Sequence, residues 1–275
     1  MQLTLPSRAM TTARTTAAGI VARVGACLAR SALGLSLGLV AAATSAAQAS
    51  PQSWKFGATP YVWTSGLDGQ VGFNNVVSDV DLGFADIMGA LQFGAMARLE
   101  ARNGPIVLGA DAIYVSVGDS KAFAVRGAAG NITIAQRETI VQPMAGYGFT
   151  VHGWGVDALV GARYWNLRTE FGLDPARRAP RSRSGTKDWL DALGGLRASY
   201  TPRTKLHVVA EGDAGGGGSR NTWQAVGTVS YEVAKHYSVL GAYRYLAVDY
   251  DHAGYLFDTH MSGLVFGVNI RIGQN

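Results

Sequence analysis

QFGAMARLEAR, residues 92–102, alternates strictly between two kinds of side chain. One set is apolar, and the other set mixes glycine with charge, as in Arg98, Glu100 and Arg102. A period of two over this length predicts a β-strand with one apolar and one polar face. Asn103-Gly104 follows and favours the positive φ angles of a tight hairpin, and Pro105 can open the next strand.

The same alternation recurs along the rest of the chain. One face is apolar and often ends in an aromatic residue, and the other combines glycine with charges of both signs. The segments that show it are 106–115, 156–165, 189–200, 223–232 and 264–272. These segments predict an all-β fold.

Connection lengths between the predicted strands also alternate. Short turns are predicted at 102–105, 149–155, 201–205 and 233–237, and longer links near 65–91, 118–130, 170–187, 214–221 and 250–256. Five long links and four short turns join ten strands, which is typical of a transmembrane antiparallel up-and-down β-barrel. Strand counts of eight and twelve are the alternatives to ten, because residues 70–82 can hold a further strand. Residues 84–91 are predicted to form a short helix.

The first 49 residues have the pattern of a signal peptide. Four arginines and no acid precede an apolar run from Ala32 to Ala43, and Ala47-Gln48-Ala49 offers small residues for cleavage. Residues 50–275 are then the barrel domain. Of the 24 basic residues, 4 lie in this leader, so 20 face 19 acids in the remainder, and the basic balance indicates no nucleic-acid partner.

A soluble barrel also alternates, so the direction of the apolar face decides between the two classes. Three features favour a membrane: the 36 glycines, the aromatic residues at the ends of the apolar face, and the last strand. The girdle candidates are Tyr114, Tyr164, Tyr200, Trp223, Tyr231 and Tyr237. Gly267, Ile270 and Ile272 fit the C-terminal assembly signal of outer-membrane barrels.

Several stretches resemble a family of small, mostly uncharacterised Gram-negative outer-membrane β-barrel proteins, similar in style to outer membrane proteins A and W. These stretches are Trp54 with Pro60-Tyr61-Val62-Trp63, Gly161-Ala162-Arg163-Tyr164-Trp165, Asp188-Trp189-Leu190-Asp191 and residues 243–251. The resemblance implies the barrel fold and export to the outer membrane. The resemblance brings no catalytic residues with it. The partners expected at this location are the outer-membrane lipid, lipopolysaccharide and, during biogenesis, the barrel-assembly machinery.

The charges on the polar face are the main candidate site. They are Arg98, Glu100, Asp157, Arg163, Asp191, Arg197, Glu211, Asp213 and Arg244. Inside a narrow barrel they predict a salt-bridged plug, because buried charge must be paired. The alternative is a pore whose charge rings select ions. The sequence therefore predicts a structural or surface-interaction barrel, with a passive small-solute pore as the alternative.

Two further groups carry candidate chemistry. A basic cluster predicted to lie in one outer loop, where it would face lipopolysaccharide phosphates, consists of Arg177, Arg178, Arg181, Arg183 and Lys187. The second group is the pair of motifs Asp79-Val80-Asp81 and Asp258-Thr259-His260, which is similar to the paired acids and Asp-x-His of omptin proteases. Ser262 beside His260 leaves a lipid-A deacylase open as another membrane-embedded hydrolase. Chance spacing explains these short motifs, so we expect no enzyme, cofactor or metal.

Overall fold

The computed structural model describes residues 53–73, 76–125, 128–175 and 181–272. The predicted signal peptide lies outside these residues. Eleven strands and one helix make up the described chain. They are β1 (Lys55–Phe73), β2 (Val76–Leu82), α1 (Phe84–Ala90), β3 (Leu91–Asn103), β4 (Ile106–Val125), β5 (Ala128–Val151), β6 (Trp154–Pro175), β7 (Arg181–Arg203), β8 (Leu206–Gly217), β9 (Asn221–Ala234), β10 (Tyr237–His252) and β11 (Tyr255–Ile272).

Ten of these strands form a closed antiparallel barrel. From β3 to β11 each strand pairs with its chain neighbour, and β11 closes the ring on β1 over the register Phe56↔Ile272 to Phe73↔Tyr255. The prediction of ten strands is confirmed. The further strand expected within residues 70–82 exists as β2, but it pairs only with the last residues of β1 and lies outside the ring. The short helix predicted at 84–91 is α1.

The polarity of the two strand faces is inverted relative to a soluble barrel, as in a barrel that is surrounded by lipid. Val160 and Leu196 are 65% and 61% exposed on the outside, whereas the Arg163 side chain on the inside is inaccessible. Apolar side chains point out and charges point in, because hydrocarbon takes the place of water around the wall. Among the helices of the described residues, none is long and apolar enough to cross a membrane.

The short turns all lie at one end of the barrel, which we call the turn end; the opposite end is the far end. Gly104 has φ +56° in the first turn, and His152 and Gly153 have φ +49° and +83° in the second. Glycine adopts such angles without steric cost. The four predicted short turns are thus confirmed.

Most of the predicted long links at the far end are wrong. β4 and β5 run on through the link expected at 118–130, and β10 and β11 leave only residues 253–254 between them. The strands continue because the backbones of β4 and β5 stay hydrogen-bonded up to Val125↔Ala128. The alternation fades there, since water on both sides no longer requires one apolar face. Residues 218–220 do separate β8 from β9, as predicted.

Outward aromatic residues form a girdle near each end of the apolar band. At the turn end Trp154 stacks on Tyr200 with ring centroids 4.8 Å apart. At the far end Trp223 stacks on Tyr245 at 4.7 Å, and Phe93 tilts against Tyr114 at 5.8 Å. Aromatic rings with a polar atom favour the level of lipid head groups. The wall between the girdles is therefore the membrane-spanning band.

Candidate functional site: the lumen

The lumen contains a network of paired side chains that we call the ionic layer. It occupies the turn-end half and the middle of the barrel. Its charged members are Arg98, Glu100, Arg102, Asp111, Asp157, Arg163, Arg197, Glu211, Asp213 and Arg244. All of them lie on the inward face that the period-two pattern defines.

One bidentate pair crosses the lumen from β3 to β8. Arg98 donates Nη1 to Glu211 Oε1 at 3.1 Å and Nη2 to Oε2 at 2.6 Å. Parallel N–H···O bonds of this kind combine charge attraction with a fixed planar geometry. The pair therefore ties together two strands that are far apart around the ring.

A second cluster lies nearer the turn end. Arg197 donates Nε to Asp157 at 2.8 Å and Nη1 to Glu100 at 2.8 Å. Arg102 donates to the same Asp157 oxygen at 2.6 Å. Strands β3, β6 and β7 thus share one set of charges, which leaves this cluster close to neutral.

Arg163 is the most deeply buried cation of the layer. Its Nη2 donates to Asp213 at 2.6 Å, its Nε and Nη2 donate to Gln142 at 3.1 and 2.8 Å, and its Nη1 donates to Thr222 at 2.7 Å. The other Asp213 oxygen accepts from Gln142 and from Gln224. Both members of the ion pair are inaccessible, and their hydrogen bonds make such burial tolerable.

Arg244 joins the ionic layer to the aromatic residues beyond it. It donates Nε to Gln224 at 2.7 Å and Nη1 to the Tyr61 hydroxyl at 3.0 Å, with Asp111 at 3.4 Å. Tyr61 donates in turn to Asp111 at 2.5 Å. The guanidinium lies 4.9 Å from the ring centre of Trp63, a cation–π distance.

Eight of the nine predicted lumen charges meet in this network. The ninth, Asp191, is buried in the lumen but accepts the backbone N–H of Ser219 at 2.7 Å instead. Four uncharged partners were not predicted: Tyr61, Gln142, Thr222 and Gln224. Their signal was present, because each occupies an inward position of its strand, but a search for charge alone passes over them.

A cavity of about 330 Å³ lies between the ionic layer and the turn end. Among the described residues its wall includes Thr59, His207, Ser230, Ser238 and Asn269 together with the arginines above it. The wall is mixed in character, because Val209, Val226, Leu240, Ala242 and Val265 also line the cavity.

The far-end half of the lumen is filled by apolar side chains, which we call the apolar layer. Trp165 stacks on Trp189 at 5.4 Å, Trp189 stacks on Tyr250 at 4.2 Å, and Phe257 meets Trp165 edge-on at 6.2 Å. The layer consists of Trp63, Ile113, Ile140, Trp165, Leu167, Trp189, Leu246, Val248, Tyr250, Phe257 and Met261. The prediction of an inward face of glycine and charge is wrong here.

The basic cluster does not lie in a single outer loop. Arg177 and Arg178 lie outside the described residues. Arg181 and Arg183 belong to β7, which starts at Arg181, because this stretch pairs with β6. Lys187 is also in β7, with its Nζ 5.9 Å from the ring centre of Tyr255. The prediction of one loop is wrong for these three residues.

The two acidic motifs lie on the outer face of the wall and not inside the lumen. Asp79 and Asp258 are register partners of Gln70 on its two sides, and Asp79 accepts from the Gln70 amide at 2.9 Å. His260 contacts Asp68 at 3.5 Å. Within the described parts of the chain, no group of three or more His, Cys, Asp or Glu side chains could hold a metal ion.

The inverted polarity, the two girdles and the charge-paired lumen define an outer-membrane β-barrel. Comparison with solved structures agrees on the fold. The outer membrane protease OmpT from Escherichia coli superposes with a TM-score of 0.55 at 8% identity, covering 81% of this chain and 98% of that one. The translocator domain of the autotransporter NalP from Neisseria meningitidis gives 0.41 at 14% identity, over 92% and 96%. No family model and no curated protein matches the sequence.

Proposed function

We propose that this protein is a closed barrel with a structural or surface-interaction role and without catalytic activity. The observation that carries the proposal is the filled lumen. The ionic layer and the apolar layer lie one above the other along the same axis.

The ionic layer is unsuited to conduct ions. Selective pores present charge to passing ions, whereas the guanidinium of Arg163 is inaccessible and donates to Asp213, Gln142 and Thr222. An ion would have to break these bonds in a dry environment, which is costly. The stacked rings of Trp165, Trp189 and Tyr250 then face any water that passes this level, and apolar constrictions exclude water.

The strands that extend beyond the far-end girdle support a role in surface contact. β4 continues from Tyr114 in the girdle to Val125, and β5 returns from Ala128. A paired ribbon of this length extends well outside the membrane. The basic residues Arg177 and Arg178 are proposed to contact lipopolysaccharide phosphates.

The location and the finer family likeness are also proposals. The protein is exported through its signal peptide, and the barrel-assembly machinery recognises β11, where Gly267, Ile270 and Ile272 fit the assembly signal. It then resides in the Gram-negative outer membrane as a small barrel similar in style to outer membrane proteins A and W. Recovery in the outer-membrane fraction with heat-modifiable gel migration tests this, and recovery as a soluble periplasmic protein contradicts it.

Planar-bilayer recording tests the closed lumen. The reconstituted wild type is expected to give no stepwise ion currents. Stepwise currents that disappear when Arg163 or Arg244 is replaced would show that the lumen is a passive pore instead. Heat-modifiable migration of each preparation serves as the control for folding.

A further inference from the structure

The barrel wall has a gap at the seam between β1 and β3. The two strands pair from Lys55↔Arg102 to Pro60↔Ala97 and then separate. Further along β1, β2 takes over as the partner from Leu67↔Leu82. Residues 61–66 of β1 thus have no strand partner on this side among the described residues. The β4–β5 seam, by contrast, pairs without interruption from Ile106↔Tyr147 to Val125↔Ala128.

A pocket of about 330 Å³ occupies this gap and crosses the wall. Its inner surface belongs to the apolar layer, where Trp63, Ile113 and Met261 are almost fully buried. Its outer rim includes Val62 and Met88, which are 58% and 47% exposed. The pocket therefore connects the outside of the barrel with the apolar half of the lumen.

The mouth of the pocket opens within the membrane-spanning band. On β3 the girdle residue Phe93 is followed toward the turn end by Gly94 and Met96, which line the pocket. On β1 the rim residue Val62 lies beside Phe266, whose ring is 54% exposed on the outer wall. The lipid-facing surface thus continues without a break into the pocket.

The side chains that line the pocket favour an apolar, chain-like ligand. Among the described lining residues, Glu138 is the one charged side chain, and most of the others are aliphatic, aromatic or Met. Small-molecule sites of about 300–1,000 Å³ are commonly lined in this way. A charged head group would lose its hydration inside, so it would stay at the girdle while only the chain enters.

We propose that this pocket binds an acyl chain of a surrounding membrane lipid, which enters sideways through the β1–β3 seam. Helix α1 forms the upper rim through Phe84, Ile87 and Met88, and none of its residues is buried. The helix thus borders the entrance without filling it. This binding site goes beyond the structural role proposed above and does not depend on it.

Photolabelling of the full chain tests the proposal. The protein is reconstituted in phosphatidylcholine vesicles that contain a trace of phosphatidylcholine with a diazirine in its acyl chain, and the adducts are mapped by mass spectrometry. Adducts are expected on the inward residues Met96 and Met261 as well as on outward residues such as Leu99. A sealed wall would confine the adducts to outward residues, and that result overturns the proposal.

A filling variant and a matched control sharpen the test. Gly94 lines the pocket, and a Cβ there would meet only Leu91 at 3.8 Å and Tyr114 at 3.9 Å, so Gly94→Phe has room to project into the pocket. Gly241 has nothing within 4 Å of a Cβ and lies on the outer face of β10, so Gly241→Phe is the control.

Gly94→Phe is expected to reduce the adducts on Met96 and Met261 several-fold, whereas Gly241→Phe leaves them unchanged. Undiminished inward adducts in heat-modifiable, folded Gly94→Phe protein overturn the proposal. If Gly94→Phe does not fold, the positions of the adducts in the wild-type protein test the proposal by themselves. Unlabelled lipopolysaccharide added as a competitor identifies the source: loss of inward adducts assigns the chain to lipopolysaccharide, and their persistence assigns it to phospholipid.

Discussion

The ionic layer and the apolar layer are built on the same face of the same strands. Along β6 the inward residues change from Asp157 and Arg163 to Trp165, and along β10 Arg244 is followed at the next inward position by Leu246. The character of the lumen thus reverses within two residues. Whether a side chain is charged or apolar depends on its position along the strand as much as on the direction in which it points.

The two layers are stabilised in different ways. An ion pair in a dry environment depends on all its partners, because the loss of one leaves a buried charge uncompensated. An apolar layer depends on volume, and the loss of one ring leaves a cavity but no unpaired charge. Changes in the two layers should therefore have different consequences.

Breaking the ionic layer at its most buried pair should have the largest effect. Arg163→Ala leaves Asp213 without its cation, and we expect a loss of about 3–5 kcal/mol in the free energy of unfolding. Urea titration in detergent micelles, followed by tryptophan fluorescence, measures it. A loss below about 1 kcal/mol would contradict the importance of this pair.

Disrupting the apolar layer should lower the free energy of unfolding somewhat less than Arg163→Ala does. Phe257→Ala removes a buried ring that contacts Trp165 and Trp189, and about 3 kcal/mol is expected for such a cavity. Leu264→Ala on the lipid-facing side of the same strand is the matched control, since Leu264 is 51% exposed. Equal losses for both variants would show that Phe257 does not pack as a core residue.

A double-mutant cycle on the pair that crosses the lumen sharpens the comparison. Arg98→Met alone should lower the free energy of unfolding by about 2 kcal/mol. Among the described residues Glu211 then keeps only its longer 3.8 Å contact with Arg197, and the arginine site is partly open to solvent. The double variant Arg98→Met with Glu211→Leu should lose less free energy of unfolding than Arg98→Met alone, since both charges are removed together. Additive losses would show that the two side chains act independently.

The smallest loss in the free energy of unfolding is expected at a partly exposed pair beyond both layers. Arg271 lies 2.7 Å from Glu232 at the turn end, and its hydrogen bond lowers the pKa of the Glu232 carboxyl. The pair therefore stabilises the fold above the ordinary pKa of glutamate, and this contribution is lost as the pH falls through the lowered value. Unfolding titrations between about pH 7 and pH 3 should show a slightly smaller pH dependence for Glu232→Gln than for the wild type. An unchanged dependence would contradict this role of the pair.

Much of the fold could be predicted from local patterns. The alternation in 92–102 and the Asn103-Gly104 turn identify one hairpin, and the same signals recur to β11. The extent of the strands at the far end could not be predicted in this way, because pairing there continues without an apolar face. The lumen charges, and with them Gln142 and Gln224, could be found by the face on which they lie, but which of these side chains contact each other could not.

The sequence by itself determined the period-two strands and the tight turns, since each follows from backbone geometry within a few residues. Only the tertiary structure decided that Arg98 meets Glu211, 113 residues away, that tryptophans fill half of the lumen, and that β1 separates from β3. Strand stagger and ring closure set which inward residues share a level. These are properties of the whole barrel and leave no local trace in the chain.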